Sequence, residues 1–154
     1  MKPKGLKTKI FLDSGDPGET KEALGLLGFL DGQTTNPTLI FSKSSPAQRI
    51  LKRDGKLEKK DFWDFYQKIA EEISNLIPQG SISLEVYADE RTKAKEMLNQ
   101  ARELFSWIPN AQIKFPIIEE GIKAAQIAIK EDLRVNMTLC FSQEQVAAIF
   151  SALE

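Results

Sequence analysis

Short apolar runs alternate with longer amphipathic stretches along the whole chain, and this alternation limits the folds that the chain can adopt. Periods of two and of 3.6 residues distinguish strands from helices in such a pattern. The apolar runs predict strands near residues 6–13, 31–35, 81–87, 111–115 and 133–139. The longer stretches predict helices near residues 17–27, across 37–77, and near 90–107, 119–131 and 142–153. Five β/α units in strict alternation indicate a parallel sheet with helical crossovers, and without Gly/Ser-rich linkers the chain reads as one domain, residues 1–154.

Three predicted helices begin with capping signals. Asp16, Ser45 and Ser142 each stand three residues before Glu or Gln, a spacing at which the two side chains cap each other's backbone N–H groups. Pro17 and Pro46 follow two of these caps, where proline is favoured.

Five residues are expected to be structural. The predicted helical stretch from Asp61 to Ile77 contains four aromatic residues, Phe62, Trp63, Phe65 and Tyr66. Their helical spacing is typical of packing against a sheet. The single cysteine, Cys140, has no basic residue near it in sequence and is expected to be a buried, inert thiol.

Two architectures fit five β/α units: a doubly wound sheet and part of a (β/α)₈ barrel. A closed barrel needs at least ~200 residues, so length alone favours the doubly wound sheet. However, polar residues interrupt every predicted strand near its end: Asp13, Thr34 to Asn36, Glu85, Lys114, and Asn136 with Thr138. They would converge at the C-terminal mouth of a barrel, whereas a doubly wound sheet would bury them under helices at high cost. The sequence therefore predicts a parallel α/β barrel of the TIM type.

Composition excludes several classes of protein. The formal net charge of -1 gives no basic surface typical of nucleic-acid binding, and no apolar stretch is long enough for a transmembrane helix. A chain without histidine has no histidine-based metal site, and we predict neither a metal nor a cofactor. One cysteine permits no internal disulfide, which indicates a reducing, cytoplasmic location.

Four motifs occur in one order along the chain. They are Phe11 to Asp16 (FLDSGD), Asp31 to Ile40 (DGQTTNPTLI), Ile113 to Pro116 with Glu119 to Gly121 (IKFP and EEG), and Asn136 to Ser142 (NMTLCFS). Together they resemble the transaldolase family, to which fructose 6-phosphate aldolases are related. The resemblance covers nearly the whole chain and implies a barrel truncated after the fifth β/α unit.

The resemblance implies transfer of a dihydroxyacetone unit from a ketose phosphate to an aldose phosphate in the pentose phosphate pathway. Lys114 would form the Schiff base with the ketose, and Asp13 would take the proton of its C4 hydroxyl. From the residues alone, Lys114 is also explained as a lysine extending from a strand end, and Asp13 as a turn residue.

The resemblance gives roles to four further residues. Glu85 and Thr138 would hold the water that shuttles protons, and Asn36 and Asn136 would bind the hydroxyls of the dihydroxyacetone unit. A buried polar pair explains Glu85 and Thr138 equally, and a turn residue before Pro37 explains Asn36. The related aldolases usually have glutamine where this chain has Glu85, so glutamate favours transfer over aldol cleavage.

The family's phosphate-binding arginine and serine would lie beyond residue 154. We expect a missing C-terminal segment, a second copy or a rearranged helix to cover the open strand edges and the barrel-facing residues, which include Phe11 and Leu84 or its neighbours. The order of the motifs favours the missing segment. Three alternatives are a non-catalytic barrel fragment, a fructose 6-phosphate-type aldolase and a doubly wound ligand-binding module. The last would place Asp13, Glu85 and Lys114 on opposite faces of the sheet.

Overall fold

A computed structural model of the chain describes residues 2–43 and 59–153. The strands are β1 (Phe11–Asp13), β2 (Gly32–Thr34), β3 (Ser81–Glu85), β4 (Ala111–Pro116) and β5 (Val135–Thr138). The helices are α1 (Pro17–Leu27), α2 (Pro37–Lys43), α3 (Lys59–Leu76), α4 (Ala94–Trp107), α5 (Glu119–Lys130) and α6 (Gln143–Leu153). None of the described helices is both long and apolar enough to cross a lipid bilayer.

The five strands form one parallel sheet in the order β1-β2-β3-β4-β5. A doubly wound sheet reverses its strand order, whereas a barrel adds each strand beside the previous one. Right-handed crossovers in this consecutive order place the helices on one side of the sheet. The fold is therefore a partial TIM-type α/β barrel, as the polar strand ends predict and contrary to the preference from length alone.

The two faces of the sheet differ in chemistry because side chains alternate along each strand. On the helix-covered face, Ile82, Leu84, Ile113 and Phe115 are fully buried. They belong to one core with residues of α3, α4 and α5, among them Tyr66, Ile73, Met97, Leu104, Ala124 and Ala125. The open face carries Ser83, Glu85 and Lys114 at the alternate positions. Of the barrel-facing positions expected at Leu84 or its neighbours, the neighbours Ser83 and Glu85 lie on the open face, and Leu84 is one residue out of phase with it.

Several strands are shorter than predicted. β1 begins at Phe11 and β3 ends at Glu85, so Tyr87 lies in the following loop and is exposed. The helix predicted near residues 90–107 begins at Ala94 because Asp89 forms a tight turn first. The Asp89 Oδ1 atom accepts hydrogen bonds from the backbone N–H groups of Arg91 and Thr92 at 2.9 Å each.

Two of the three predicted caps are present. Asp16 Oδ1 accepts from the Gly18 N–H group at 2.7 Å, with Pro17 at the start of α1. Ser142 Oγ accepts from Gln145 N–H at 3.2 Å, and Gln145 Oε1 accepts from Ser142 N–H at 3.1 Å, which completes a capping box. The predicted start at Ser45 lies outside the described residues.

The described sheet ends in two edge strands, β1 and β5, each paired on one side. Phe11 on β1 is 43% exposed, as expected for a barrel-facing residue without an opposing layer. Beyond β5, Phe141 is 84% exposed, and α6 has no buried residue. Cys140 is exposed too, so the prediction of a buried thiol is wrong: β5 ends at Thr138, and the chain leaves the core before the cysteine.

Two helical glycines give a matched test of this packing. A methyl group on Gly121 of α5 would lie 2.1 Å from the Pro116 carbonyl oxygen, whereas one on Gly25 of α1 would meet nothing within 4 Å. We expect Gly121→Ala to lower the free energy of unfolding by ~1–3 kcal/mol through overpacking. Gly25→Ala should raise it by ~0.5–1 kcal/mol, because alanine loses less backbone entropy in a helix. Urea denaturation measures both, and equal effects would contradict the close approach of α5 to β4.

Candidate active site

Lys114 and Glu85 form an ion pair on the open face of the sheet. β3 and β4 pair Glu85 directly with Lys114, and the next register pair joins Lys114 to Asn136 on β5. The Lys114 Nζ atom lies 3.2 Å from Glu85 Oε2, and the two side chains are only 11% and 17% exposed. Register and alternation therefore bring an amine and a carboxylate together in a mostly buried place.

Electrostatics at Glu85 reflect that burial. Desolvation raises the pKa of the Glu85 carboxyl, the nearby Lys114 ammonium opposes the rise, and the Asp13 carboxylate adds to it. Burial disfavours the charged form of a carboxyl and outweighs the favourable ion pair here. The carboxylate therefore accepts a proton more readily than an exposed glutamate would.

A cavity of about 630 Å³ opens beside this pair at the C-terminal end of the strands. Four of the predicted site residues line it: Asn36, Glu85, Lys114 and Thr138. Its apolar wall includes Phe41 of α2 and Phe62 of α3, whose rings stack with centroids 4.5 Å apart. Phe62, predicted to serve only helix packing, thus also bounds the cavity. Ile113 and Phe115 flank Lys114 in sequence but point to the other face, so the cavity wall supplies its apolar surroundings.

Asp13 lies on the same face of the sheet as Glu85 and Lys114, but two residues nearer the N-terminal ends of the strands in the parallel register. In register, Asp13 pairs with Thr34 and Thr34 with Ser83, which shares the face of Glu85. The Thr34 hydroxyl donates to Asp13 Oδ1 at 2.6 Å. Asp13 is not among the residues that line the cavity, although its charge acts on Glu85.

A buried network under the sheet holds the loop that follows Asp13. The fully buried Gln33 side chain donates to the Ser14 carbonyl at 2.8 Å and accepts from the Thr20 hydroxyl at 2.7 Å. Ser14 Oγ in turn binds the Glu19 carboxylate. Since α1 and β2 are joined to this loop by three side chains, the end of β1 is fixed from the helix-covered side.

The two asparagines have partners within the protein. The Asn36 amide oxygen accepts from Leu39 N–H at 2.8 Å and so caps α2, the structural role that its position before Pro37 suggested. Asn136 Nδ2 donates to the buried Ser83 Oγ at 3.1 Å, across the open face from β5 to β3. Asn36 lines the cavity and Asn136 does not.

Glu85 and Thr138 line the same cavity, and within the described residues no hydrogen bond joins them directly. In residues 2–43 and 59–153, no three Asp, Glu or Cys side chains are grouped as a metal site.

Tyr66 lies near the site, although sequence patterns predicted only a packing role for it. Its fully buried hydroxyl accepts a hydrogen bond from the Glu85 backbone N–H at 2.8 Å. Helical spacing shows that Tyr66 faces the sheet, but spacing does not show that its hydroxyl reaches the backbone at the end of β3.

Comparison with known proteins consistently points to one family. The model of the family described as transaldolase/fructose-6-phosphate aldolase matches residues 10–154. A "Probable transaldolase" of Dehalococcoides mccartyi is 37% identical over 94% of this chain and 56% of its own length. One of Methanococcus maripaludis is 39% identical over 89% of this chain and 53% of its own. The chain spans about half the length of these curated relatives.

The raised pKa of Glu85 predicts a pH-dependent contribution to stability. The native protein binds the Glu85 proton more tightly than the unfolded chain does. The stability that this tighter proton binding contributes is therefore fully present below the usual glutamate pKa of about 4.3. It is lost as the pH rises through the raised pKa of Glu85. The stability of wild type relative to Glu85→Gln should consequently fall as the pH rises from about 4 through the raised pKa of Glu85.

Urea denaturation over this pH range measures that difference, with Glu119→Gln as the control. Glu119 also pairs with a lysine, Lys123 at 2.7 Å, but its side chain is 82% exposed. Exposed pairs contribute little to stability, so the control difference should change little with pH. A wild-type advantage over Glu85→Gln that stays constant or grows with pH would show that burial does not dominate at Glu85.

Proposed function

Because the chain belongs to the transaldolase/fructose-6-phosphate aldolase family, we propose that it carries the Schiff-base part of a transaldolase site, with Lys114 as the nucleophile. The observation that carries the proposal is the Lys114–Glu85 pair beside the cavity. An amine attacks a carbonyl carbon only when it is unprotonated, so a catalytic lysine needs a nearby group that accepts its proton. Glu85, with its raised pKa, is placed to do so.

In the proposed reaction, Lys114 Nζ attacks the C2 carbonyl of a ketose phosphate and water leaves, which gives an iminium ion. Asp13 takes the proton of the C4 hydroxyl, the C3–C4 bond breaks, and its electron pair moves into the iminium to form an enamine. An aldose phosphate leaves. The enamine carbon then attacks the aldehyde of an acceptor aldose, Asp13 returns its proton to the new C4 oxygen, and water hydrolyses the iminium to release the new ketose and free Lys114.

The remaining predicted residues bind and shuttle protons in this proposal. Glu85 and Thr138, which both line the cavity, hold the water that is released and then consumed. Asn36 and Asn136 bind hydroxyls of the dihydroxyacetone unit. Since the Asn36 oxygen already caps α2, its Nδ2 group is the one that would donate to the substrate.

Two parts of the proposal lie outside this chain's described site. The residues that bind the phosphate group of the sugar are proposed to come from a further segment or a second copy. This agrees with the open edge of β5 and the greater length of the relatives. The pentose phosphate pathway is inferred from family membership, and a cytoplasmic location from the single cysteine. A barrel fragment without activity is the alternative, and Lys114 chemistry distinguishes the two.

Reductive trapping tests the nucleophile. Dihydroxyacetone followed by borohydride should leave a stable adduct on Lys114, because the iminium is reduced before it hydrolyses. Dihydroxyacetone has no phosphate, so the test does not depend on a phosphate site. Peptide mass spectrometry locates the adduct: Lys114→Ala should abolish it, and Lys123→Ala, which removes an exposed lysine, should not. A folded chain that forms no adduct, or forms it on another lysine, would refute the proposal.

The glutamate at position 85 leads to a prediction about the products, which are either a transferred or a released dihydroxyacetone unit. In a polypeptide that holds this site in a closed barrel, transfer to an acceptor aldose should exceed release of free dihydroxyacetone. Glu85→Gln should move the product ratio towards release, as the glutamine of the related aldolases suggests. Chromatography of the products measures the ratio, and a ratio that stays unchanged would remove Glu85 from this role.

A further inference from the structure

A single buried hydroxyl joins the ends of β2 and β3. Tyr66, on α3, is fully buried, and its oxygen lies 2.8 Å from the Glu85 backbone nitrogen and 3.1 Å from Thr35 Oγ1. Thr35 immediately precedes Asn36, and Glu85 is the partner of Lys114. Two strand ends that carry proposed site residues therefore meet at one atom of a helix behind the sheet.

The directions of these hydrogen bonds are fixed by counting protons. Thr35 has one hydroxyl proton, and it is donated to the Ser83 carbonyl at 2.8 Å. The Tyr66 hydroxyl must therefore donate to Thr35 Oγ1, while its oxygen accepts the Glu85 N–H group. Burial raises the pKa of Tyr66 far above its usual range, so the hydroxyl keeps its proton wherever the protein is folded.

Glu85 needs this acceptor because β2 ends too early to provide one. The Ser83 carbonyl accepts from Thr35 N–H at 3.0 Å, so the Glu85 N–H group, two residues on, faces the same neighbouring strand. The β2–β3 ladder stops at the pair of Thr34 with Ser83, and β2 turns into α2 at Pro37. The Tyr66 hydroxyl occupies the place where the next strand carbonyl would lie. A buried N–H group without a partner would be costly.

We propose that Tyr66 is a positioning residue for the reaction: its hydroxyl fixes the backbone of Glu85, and through it the carboxylate against Lys114. This inference rests on the proposed Schiff-base function. The aromatic ring provides packing, with ring centroids 6.2 Å from Trp63 and 5.5 Å from Trp107. The hydroxyl provides the positioning, and Tyr66→Phe separates the two because it removes only the oxygen.

Ser74 offers a matched control on the same helix. Its buried hydroxyl donates to Asn110 Oδ1 at 2.6 Å, just before β4 and at the opposite end of the sheet from Lys114. Ser74→Ala therefore also removes one buried hydroxyl of α3, but far from the proposed site. Both variants should lose stability, since each removes a hydrogen bond made by a buried hydroxyl.

The test uses the whole chain, dihydroxyacetone and borohydride. Tyr66→Phe should lower the rate of adduct formation on Lys114 about tenfold, as expected for a catalytic pair held slightly out of place. It should also change the pH dependence of that rate and speed hydrogen exchange of the Glu85 amide relative to Ile82 in the same strand. Ser74→Ala should leave the trapping rate, its pH dependence and Glu85 exchange as in wild type.

The outcomes are distinguishable. A Tyr66→Phe variant that traps at the wild-type rate with the wild-type pH profile overturns the inference, and so does an equal loss in Ser74→Ala. Failure of wild type to trap overturns the proposed function and this inference with it. If Tyr66→Phe does not fold, Thr35→Val removes the other half of the hydroxyl pair and should slow trapping in the same direction; an unchanged rate there would likewise overturn the inference.

Discussion

Side chains in β3 and β4 alternate between two faces, and the parallel register places Glu85 directly beside Lys114. The site depends on this geometric constraint more than on any single bond. Ile113 and Phe115 are anchored in the helix-covered core, so the residue between them can only point to the open face. A charge held there at 11% exposure needs a partner, and the neighbouring strand provides one at 3.2 Å. Packing on one face thereby determines electrostatics on the other.

Those parts of the molecule that follow from a period of two or of 3.6 could be predicted from sequence. Examples are the five β/α units and the shared face of Glu85 and Lys114. The caps at Asp16 and Ser142 could also be predicted, from their spacing of three residues to Glu or Gln. The sequence did not decide between Leu84 and its neighbours as barrel-facing residues, because a run such as SISLEVY contains residues for both faces and the alternation alone does not say which set faces the helices. Cys140 was misplaced because the apolar run continues beyond Thr138, where the strand ends.

The features that could not be predicted from the sequence are contacts between elements that are distant along the chain. The hydroxyl of Tyr66 and the amide of Gln33 act on backbone atoms of other elements, Glu85 N–H and the Ser14 carbonyl. Neither contact leaves a periodic signal, because a tyrosine in an apolar stripe and a glutamine in a strand look the same with or without such a partner. The buried side of the sheet therefore contains polar groups that hold the strand ends from behind. The open face contains the groups that are proposed to meet substrate.

Strand order equals chain order in this sheet, and that has a consequence for folding. Phe11 pairs with Gly32, Ile82 with Ala111, and Ile113 with Val135, so each strand joins the unit next to it in sequence. Because each strand pairs only with strands adjacent to it in sequence, every closure spans one connecting segment, and the sheet can grow by adding one β/α unit at a time. The longest closure is between β2 and β3, which α2, residues 44–58 and α3 separate. The step that brings Thr35 and Glu85 to the same tyrosine is thus also the one with the largest entropic cost of assembly.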